Sequence, residues 1–344
     1  MVKIVILRVF VNKIILLLTS GLVAFIMTGC AQKVSMRALE PAEIDRAAYV
    51  KKVAVARFNN DTVGLSSKIE AKLSSSKIDN KSYFTIVSRN DFNKIVKEQK
   101  IQNSGLIDPS TATEIGGLLG AQAIISGNVG RATSADSYFE EKRTRCLDKK
   151  CEQYERYSVG CAKRVIGLSA EIRMVDVTKG DIIYADTMNP TVAYEHCVDD
   201  SRSLPSTEIA AQGLAQSIAN NFAYKLTPHY RTFEVTLLED PDLDYNDKQK
   251  QLLEASLTYV EQGRYDKAEE LLSDLIDSTN QKSYVAFYNL GVIKEAEGKY
   301  NEAKEYYSNA DDLMIQPVEE ISMAVNRIDS LIQKRNQTRS QLQR

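Results

Sequence analysis

Short apolar runs alternate with amphipathic stretches between residues 51 and 238 of the chain. The runs are rich in β-branched and aromatic residues, which is typical of strands, and they lie at 53–58, 83–87, 123–129, 165–176, 181–186 and 232–238. The intervening stretches place apolar residues three or four apart, as on one face of a helix, near 65–73, 91–100, 109–119 and 209–222. This alternation predicts an α/β domain over 51–238, in which helices pack on a mixed sheet of about five strands.

Turn and capping residues support these boundaries. Asp108 and Pro109 predict a helix start, because Asp caps free backbone N–H groups and Pro suits the first turn. Residues 177–180 predict a hairpin turn that ends on Gly180, where a positive φ is expected. The glycines of the domain form neither a Gly-x-Gly-x-x-Gly turn nor a Walker loop, so the sequence predicts no nucleotide site and no cofactor.

Residues 248–335 carry a second pattern, a repeat of helical segments. The sequence EQGRYDKAEELL at 261–272 aligns with AEGKYNEAKEYY at 296–307, an offset of 35 residues. The positions that the two copies share are Gly263 and Gly298, Tyr265 and Tyr300, Ala268 and Ala303, and Glu270 and Glu305. This spacing resembles the 34-residue tetratricopeptide (TPR) period, which implies an all-α domain of packed helix pairs. Residues 318–334 predict a capping helix, and we expect 336–344 to be frayed.

An acidic segment at 239–247 joins the two patterns. Alternate positions carry aspartates, as in a calcium loop, at Asp240, Asp242 and Asp244. A calcium loop needs Gly at its sixth position and Glu at its twelfth, whereas this segment has Tyr245 and Gln251. The segment therefore predicts an acidic linker without a metal, and a calcium site is the alternative.

The first 29 residues have the features of an export signal. Three basic residues precede an apolar run at 14–27, which is shorter than the roughly 20 residues that span a membrane. The sequence Met27-Thr28-Gly29-Cys30 follows and resembles a bacterial lipobox, before whose cysteine the signal peptide is cleaved. The resemblance implies that Cys30 carries acyl chains such as palmitate and anchors the mature protein. An uncleaved membrane anchor with a chance cysteine is the alternative.

The residues that follow Cys30 bear on location. Ala31 takes the place at which an Asp typically retains lipoproteins of Gram-negative bacteria at the inner membrane. We therefore expect a lipid anchor in the outer membrane, with the protein on its periplasmic face. Residues 30–50 predict a tether with some helical content, and its typical span of ~25 Å keeps the first domain near the membrane.

Composition excludes several classes of function. The 344 residues include 44 Lys and Arg against 46 Asp and Glu, a balance that argues against a nucleic-acid binder. Removal of residues 1–29 takes away three basic residues and leaves a mildly acidic protein. His196 and His229 lie in no His-Glu-x-x-His motif, and the chain has no Gly-x-Ser-x-Gly elbow. We therefore expect no catalytic residue and no enzyme.

Four further cysteines predict disulfides. An exported chain meets oxidising conditions, and the cysteines are even in number: Cys146, Cys151, Cys161 and Cys197. Three pairings are open, and we expect one bond within the segment that holds the first three and one bond that reaches Cys197. A zinc site with His196 is an alternative, although the Cys-x4-Cys-x9-Cys spacing matches no common zinc signature. Free thiols are the remaining alternative.

The first domain resembles a known family over residues 50–230. The sequence TATEIGGLLGAQAIISG at 111–127 is similar to the helix, Leu-Gly-Ala, strand and Gly core of the curli-secretion lipoprotein (CsgG) family. The sequence VDVTKGDI at 175–182 is similar to that family's hairpin, and the opening strand and the lipobox agree. The resemblance implies the α/β fold, lipid anchoring and a homo-oligomer. In the family, two β-hairpins of each subunit join a shared pore in the outer membrane.

The insertion at 131–164 lies where the first of those hairpins lies in the family. It holds 15 charged residues out of 34, and each Lys or Arg on a lipid-facing side costs ~2–4 kcal/mol. The second candidate segment, at 189–207, contains two prolines and two adjacent aspartates. We therefore expect a disulfide-stapled, solvent-exposed hairpin in place of a membrane hairpin.

Three functions follow from these patterns. We expect a non-enzymatic outer-membrane lipoprotein that scaffolds envelope assembly or secretion, with the repeats as a docking surface for a protein partner. The alternatives are a subunit of an oligomeric curli-type secretion channel and a lipoprotein activator of a penicillin-binding protein. Weak candidates for the docking surface are Tyr259, Tyr288 and Lys294, and each tyrosine is also interpretable as a core residue.

Overall fold

The computed structural model describes residues 31–88, 91–92, 94 and 106–343. The predicted export signal, the predicted lipidation site Cys30 and most of the helix predicted at 91–100 lie outside these residues. The chain divides into two compact units. Among the described residues, the helical unit comprises 31–38 together with 232–333, and the α/β unit comprises those within 39–231 together with 334–343.

Up to residue 236 the described chain contains both strands and helices. After residue 236 it forms helices joined by turns. The strands are β1 (Lys33–Glu40), β2 (Lys52–Val55), β3 (Lys77–Ile78), β4 (Lys81–Ser82), β5 (Thr85–Ile86), β6 (Ala123–Val129), β7 (Thr133–Cys146), β8 (Tyr154–Gly167), β9 (Ala170–Asp176), β10 (Asp181–Met188), β11 (Thr191–Cys197) and β12 (His229–Thr236). The helices are α1 (Asp45–Ala48), α2 (Leu65–Ser75), α3 (Pro109–Leu119), α4 (Thr207–Leu226), α5 (Asp247–Glu261), α6 (Tyr265–Ser278), α7 (Tyr284–Ala296), α8 (Tyr300–Leu313) and α9 (Glu319–Leu342).

A mixed five-stranded sheet, which we call the central sheet, has the order β10–β9–β6–β2–β5 in the α/β unit. β2 pairs in parallel with β5 and β6, whereas β9 is antiparallel to β6 and β10. β6 lies in the middle and is buried at all of its positions but one. The predicted fold class, an α/β region with a mixed sheet followed by an all-α region, is confirmed.

Helices cover both faces of the central sheet. Ile125 of β6 faces the core that contains Phe222 of α4, together with residues of α2. Its neighbour Ile124 faces a second core, which contains Ile115 of α3. Successive strand residues point to opposite faces, so a sheet buried on both sides needs apolar residues at every position. The continuous apolar runs in the sequence have this physical cause.

The predicted turn and cap have the expected geometry. The Asp108 carboxylate accepts a hydrogen bond from the backbone N–H of Thr111 (3.0 Å), and Pro109 occupies the first turn of α3. Hydrogen bonds from Ser110 and Thr111 hold the pKa of the Asp108 carboxyl well below its usual value. Gly180 closes the turn between β9 and β10 with a φ of +64°, in the left-handed region that glycine adopts without strain.

Residues 33–40 form a strand rather than the predicted tether. β1 pairs with β12 in a two-stranded sheet. Its alternate residues Val34, Met36 and Ala38 are buried in the core of the helical unit. The tether expected at 30–50 is therefore wrong over this stretch, because a period-two alternation carried by only three apolar side chains already suffices for a half-buried strand.

Two helical hairpins, α5–α6 and α7–α8, form most of the helical unit and precede α9. Gly263 and Gly298 lie at equivalent turns with φ of +70° and +74°, the conformation that favours glycine. Ala268 and Ala303 are buried at equivalent places in the second helix of each hairpin. A Cβ on Gly291 would meet the Tyr307 ring at 2.7 Å. The small residues of the repeat therefore mark turns and close helix contacts.

The C-terminal residues continue α9, which contradicts the expectation of a frayed tail. Thr338 and Gln341 near its end are buried. Within the α/β unit, the Gln341 side chain accepts a hydrogen bond from the backbone N–H of Ala42 (2.9 Å) and donates one to Asp45 (3.0 Å). The polar composition of 336–344 hides this role, because hydrogen bonds rather than apolar area hold the segment.

Candidate functional site

The four cysteines with predicted disulfides and His196 belong to a second sheet of the α/β unit and its turn, and we call this sheet the stapled sheet. β7, β8 and β11 form it in the order β11–β8–β7. β7 and β8 are antiparallel strands of 14 residues each, and they build the insertion at 131–164 as a long hairpin. The run predicted as one strand at 165–176 divides between β8 and β9. β11 pairs with the C-terminal half of β8, so that Cys197 lies directly across from Cys161.

Two disulfides give the sheet its name. Cys146 and Cys151, five residues apart, close the turn between β7 and β8 with a Cα–Cα distance of 4.8 Å. Cys161 and Cys197 join facing residues of β8 and β11 with a Cα–Cα distance of 4.0 Å, and both are buried. The structure therefore has the expected arrangement, with one bond inside the insertion and one that reaches Cys197.

The zinc alternative has no open set of ligands in the described part of the chain. Glu141 lies beside the second disulfide, with its Oε2 3.4 Å from the Cys197 sulfur and 3.8 Å from the Cys161 sulfur. These three residues are the one described group whose metal-ligating atoms lie close together. The two sulfurs are bonded to each other, whereas zinc binds thiolates. His196 is the neighbour of Cys197 in β11 and therefore belongs to the opposite face of the sheet.

Ion pairs lie on both faces of the stapled sheet. On one face, Arg143 pairs with Asp199 at 2.7 Å. On the other face, the Arg164 guanidinium donates two hydrogen bonds of 2.8 and 2.6 Å to Asp136, which lowers the pKa of that carboxyl. A lipid-facing strand surface carries apolar residues instead. The two charged faces suit contact with water or with protein.

Apolar side chains are exposed beside these ion pairs. Tyr138 of β7 and Val198, which follows β11, are each 81% exposed. They line a groove of about 490 Å³ together with Gly160, Ala162 and His196. Exposed apolar groups rimmed by charge are typical of surfaces that contact other macromolecules. The stapled sheet is therefore a candidate interaction surface, and the sequence indicated its disulfides and its charge but not this groove.

The two histidines differ in their surroundings: His229 packs against an aromatic ring, and His196 lies in the stapled sheet. The His229 ring stacks on Tyr224, with ring centroids 3.7 Å apart, and its Nδ1 lies 3.2 Å from the Thr227 carbonyl oxygen. His196 lies in β11 opposite Ala162 of β8. The expectation that the chain is not an enzyme stays a prediction.

The three weak docking candidates belong to the core of the helical unit. Tyr288 is 1% exposed, and its hydroxyl donates to the Thr236 carbonyl oxygen (2.7 Å). Lys294 is 4% exposed, and its ammonium pairs with Glu269 at 2.5 Å. Tyr259 packs, partly buried, against the same core. The structure corrects the hypothesis for Tyr288 and Lys294, because buried side chains with partners inside the unit offer no surface for docking.

A buried ion pair joins α7 to α9 inside the helical unit. Glu295 is buried and accepts two hydrogen bonds of 2.8 Å from Arg327 and one of 2.6 Å from the Tyr307 hydroxyl. Burial and the neighbouring Glu295 raise the pKa of the Tyr307 hydroxyl well above its usual value. Glu295 and Arg327 are 32 residues apart, so no local signal in the sequence marks the pair.

Asp242, in the predicted acidic linker, binds protein donors at the start of α7. Its oxygens accept hydrogen bonds from the hydroxyls of Tyr245 (2.8 Å) and Ser283 (2.9 Å) and from the backbone N–H of Tyr284 (2.6 Å). A carboxylate is stabilised beside a helix N-terminus, which carries partial positive charge. The role of Asp242 is therefore to fix the chain at the start of the second hairpin, which leaves the calcium alternative without support.

Residues 42–198 match the family model described as curli production assembly/transport component CsgG. The matched segment contains every strand of the central sheet and of the stapled sheet, and the chain carries a CsgG-family domain there. Residues 254–336 match a second model, described as a domain of unknown function, DUF6340. This match covers most of the helical unit, whose likeness to tetratricopeptide repeats stays a prediction.

Among solved structures, the crystal structure of the lipoprotein GNA1162 from Neisseria meningitidis is similar to this chain. The sequences are 15% identical, the TM-score is 0.28, and the similarity covers 50% of this chain and 98% of the other. No curated protein matches the chain in sequence. None of the helices in the described ranges is both long enough and apolar enough to cross a membrane.

Proposed function

We propose that the protein is a non-enzymatic lipoprotein on the periplasmic face of the outer membrane, where it scaffolds envelope assembly or secretion by docking proteins. The observation that carries the proposal is the stapled sheet, because its two disulfides belong to an oxidising, exported environment. The export signal at 1–29 and the lipobox that ends at Cys30 support the same compartment. The CsgG-family domain over 42–198 supports a role in assembly or secretion.

Anchoring at Cys30 would hold the folded chain against the membrane. β1 begins at Lys33, three residues after Cys30, and three extended residues span at most ~11 Å. This spacing leaves no long tether and supports a function at the membrane surface. An activator of penicillin-binding proteins has to reach across the cell-wall layer, so this alternative has less support than the scaffold.

A second candidate function is a subunit of an oligomeric secretion channel. The family match over 42–198 favours it. β7 also favours it, because this strand forms the outer edge of the stapled sheet and presents backbone N–H and C=O groups along 14 residues. Such an edge can pair with a strand of a neighbouring subunit.

The test of the scaffold is photocrosslinking of the full-length chain in intact cells. A photoreactive amino acid replaces exposed residues of the stapled sheet (Tyr138, Val198) and of the helical unit (Ile315), and exposed Leu118 of α3 is the matched control. We expect adducts with a defined envelope protein from the first three positions and none from Leu118. Identical adduct patterns at all four positions, or none at any, would contradict the docking role. Truncation is unsuitable, because the end of α9 is part of the α/β unit.

Two further readouts complete this test. Adducts between copies of the chain, together with a detergent-stable ring that conducts ions, would support the channel instead. Metabolic labelling with a palmitate analogue should mark the wild-type chain and leave Cys30→Ser unmarked. Equal labelling of both would contradict the lipid anchor while leaving the docking role open to the crosslinking result.

A further inference from the structure

The helical unit contains a groove between α6, α7 and α8. Its volume is 430 Å³, within the range of ~300–1,000 Å³ that is typical of ligand sites. The apolar part of its lining, which we call the floor, comprises Ile276 of α6, Phe287 and Leu290 of α7, and partly buried Tyr306 of α8, whereas Ser273, Gln281 and Asn309 add polar groups. The Phe287 and Tyr306 rings pack with their centroids 6.4 Å apart. The floor can therefore receive apolar side chains without a rearrangement of the helices.

Two carboxylates lie at the rim of this groove. Asp277 and Asp312 line it and are exposed. They are 35 residues apart, which is the offset of the sequence repeat, so they occupy equivalent places in the two helical hairpins. Asp266, on α6, pairs with Arg264 at 2.8 Å. By contrast, neither rim carboxylate has an ion-pair partner within the described ranges of the chain.

The helix ends add to the negative potential at the rim. α6 ends at Ser278 and α8 at Leu313, and neither helix has a basic residue in its last turn. A helix C-terminus carries partial negative charge, which a nearby Lys or Arg usually offsets. Here Asp277 and Asp312 lie in those last turns and repel the helix ends. This repulsion lowers the stability of the two helix ends in the free protein, and a Lys or Arg of a binding partner would offset it.

We propose that this groove binds a segment of a partner protein in which an apolar face is flanked by Lys or Arg residues. The floor receives the apolar side chains, while Asp277 and Asp312 pair with the cations. An acidic segment would be repelled, and a wholly apolar segment would leave the rim carboxylates without a partner. The apolar floor also distinguishes the groove from a metal site. The inference rests on the docking role proposed above and names the class of partner that the helical unit takes.

The test uses the full-length protein in detergent and two synthetic amphipathic helices. Both peptides have a leucine face, one with lysines and the other with glutamates on the polar face, and binding is measured by fluorescence anisotropy. We expect the lysine peptide to bind and the glutamate peptide not to bind. Asp277→Asn combined with Asp312→Asn should weaken binding of the lysine peptide by at least about fivefold. The same change should raise Tm, because it removes negative charge from two helix C-termini.

Matched variants separate the groove from general electrostatics. Asp244→Asn combined with Glu254→Gln removes two exposed charges elsewhere in the helical unit and should leave binding unchanged. Asp277→Lys combined with Asp312→Lys should reverse the preference towards the glutamate peptide. Unchanged binding in the Asn double variant, or equal binding of both peptides to the wild type, would overturn the proposal.

The cellular experiment distinguishes a failure of this inference from a failure of the proposed function. If Ile315 gives a partner adduct that persists in the Asn double variant, the docking role stands and the groove is wrong. If Tyr138, Val198 and Ile315 all give no adduct in the wild type, the docking role itself is wrong. If only Ile315 gives none, the docking role stands and the groove is wrong. Loss of the adduct in the Asn double variant, with retention in the Asp244→Asn, Glu254→Gln control, is the result that we expect.

Discussion

The α/β unit contains two sheets that are stabilised in different ways. Helices cover the central sheet on both faces, and the adjacent β6 residues Ile124 and Ile125 are both fully buried. The stapled sheet has two strands of 14 residues, and β7 is exposed at nearly all of its positions. Only one end of the sheet, at Ile166 of β8, joins the core that contains Phe222, and Val159, Cys161 and Cys197 form a small core of their own. Apolar burial thus stabilises the first sheet, whereas disulfides and surface ion pairs stabilise the second beyond the end at Ile166.

This difference bears on where the protein can function. Apolar burial stabilises a fold in any aqueous compartment, whereas disulfides persist mainly in oxidising ones. Surface ion pairs add little, typically ~0–1 kcal/mol each. The stapled sheet, which presents the exposed groove, therefore depends on the compartment that the export signal predicts.

The largest effect is expected from a cavity beside the central sheet. Phe222 of α4 is fully buried, and Phe222→Ala should lower the free energy of unfolding by ~3–5 kcal/mol through lost burial and an unfilled cavity. Denaturant unfolding measures the change. Ile209→Ala, at an exposed position of the same helix, is the control and should stay within ~0.5 kcal/mol of the wild type. A similarly small effect of Phe222→Ala would show that the central sheet does not depend on this core.

Removal of the second disulfide should destabilise the stapled sheet and leave the central sheet unchanged. Cys161→Ser combined with Cys197→Ser opens a loop of 36 residues and should cost the stapled sheet ~2–4 kcal/mol. Hydrogen exchange should accelerate in β7, β8 and β11 and stay unchanged in β6 and β9. Cys146→Ser combined with Cys151→Ser opens a loop of only five residues and should have a smaller effect. Equal acceleration in β6 would show that the two sheets unfold together.

The contrast between the sheets also explains how far the sequence predicts the fold. The strands of the central sheet stand out as continuous apolar runs, because helices cover both of their faces. β1 has only one buried face and three apolar residues, so its segment resembles a tether. The last turns of α9 are hidden because Thr338 and Gln341 are polar and yet buried.

The candidate sites were predictable to different degrees. The even number of cysteines and the charged insertion indicate a stapled, exposed hairpin, and the structure adds the pairing that spacing leaves open. The repeat indicates helix pairs but not which side chains face inward, so the sequence suggests a surface for Tyr288 and Lys294 although both are buried. The Glu295–Arg327 pair depends on packing between distant helices, and no local pattern encodes such a contact.

A smaller effect is expected at the start of α4, which packs against the central sheet. The Ser206 side chain accepts a hydrogen bond from the backbone N–H of Ile209 (3.3 Å) and caps the helix. Ser206→Ala should lower the free energy of unfolding by ~0.5–2 kcal/mol. Ser74→Ala, at an exposed position near the end of α2, is the matched control. Equal stability of the two variants in denaturant unfolding would remove the capping role.

The smallest effect is expected from acid on the stapled sheet. The hydrogen bond from Arg164 lowers the pKa of Asp136 below its ordinary value of 3.8. The carboxylate therefore stabilises the fold above that value, and its contribution is lost as the pH falls through the lower pKa of the folded state. Hydrogen exchange, corrected for its intrinsic pH dependence, should accelerate in β7 and β8 in this range before it does in β6. Asp136→Asn should remove that part of the pH dependence, and an unchanged profile would contradict the assignment.

The chemical state of the five cysteines tests most directly whether the protein is an exported lipoprotein with a stapled sheet. Protein from intact cells is denatured in an alkylating reagent without reductant, and its mass is measured. We expect no cysteine to be alkylated, because the predicted lipid blocks Cys30 and the other four form the bonds Cys146–Cys151 and Cys161–Cys197. Alkylation of those four sulfhydryls would contradict both the stapled sheet and the exported location of the protein.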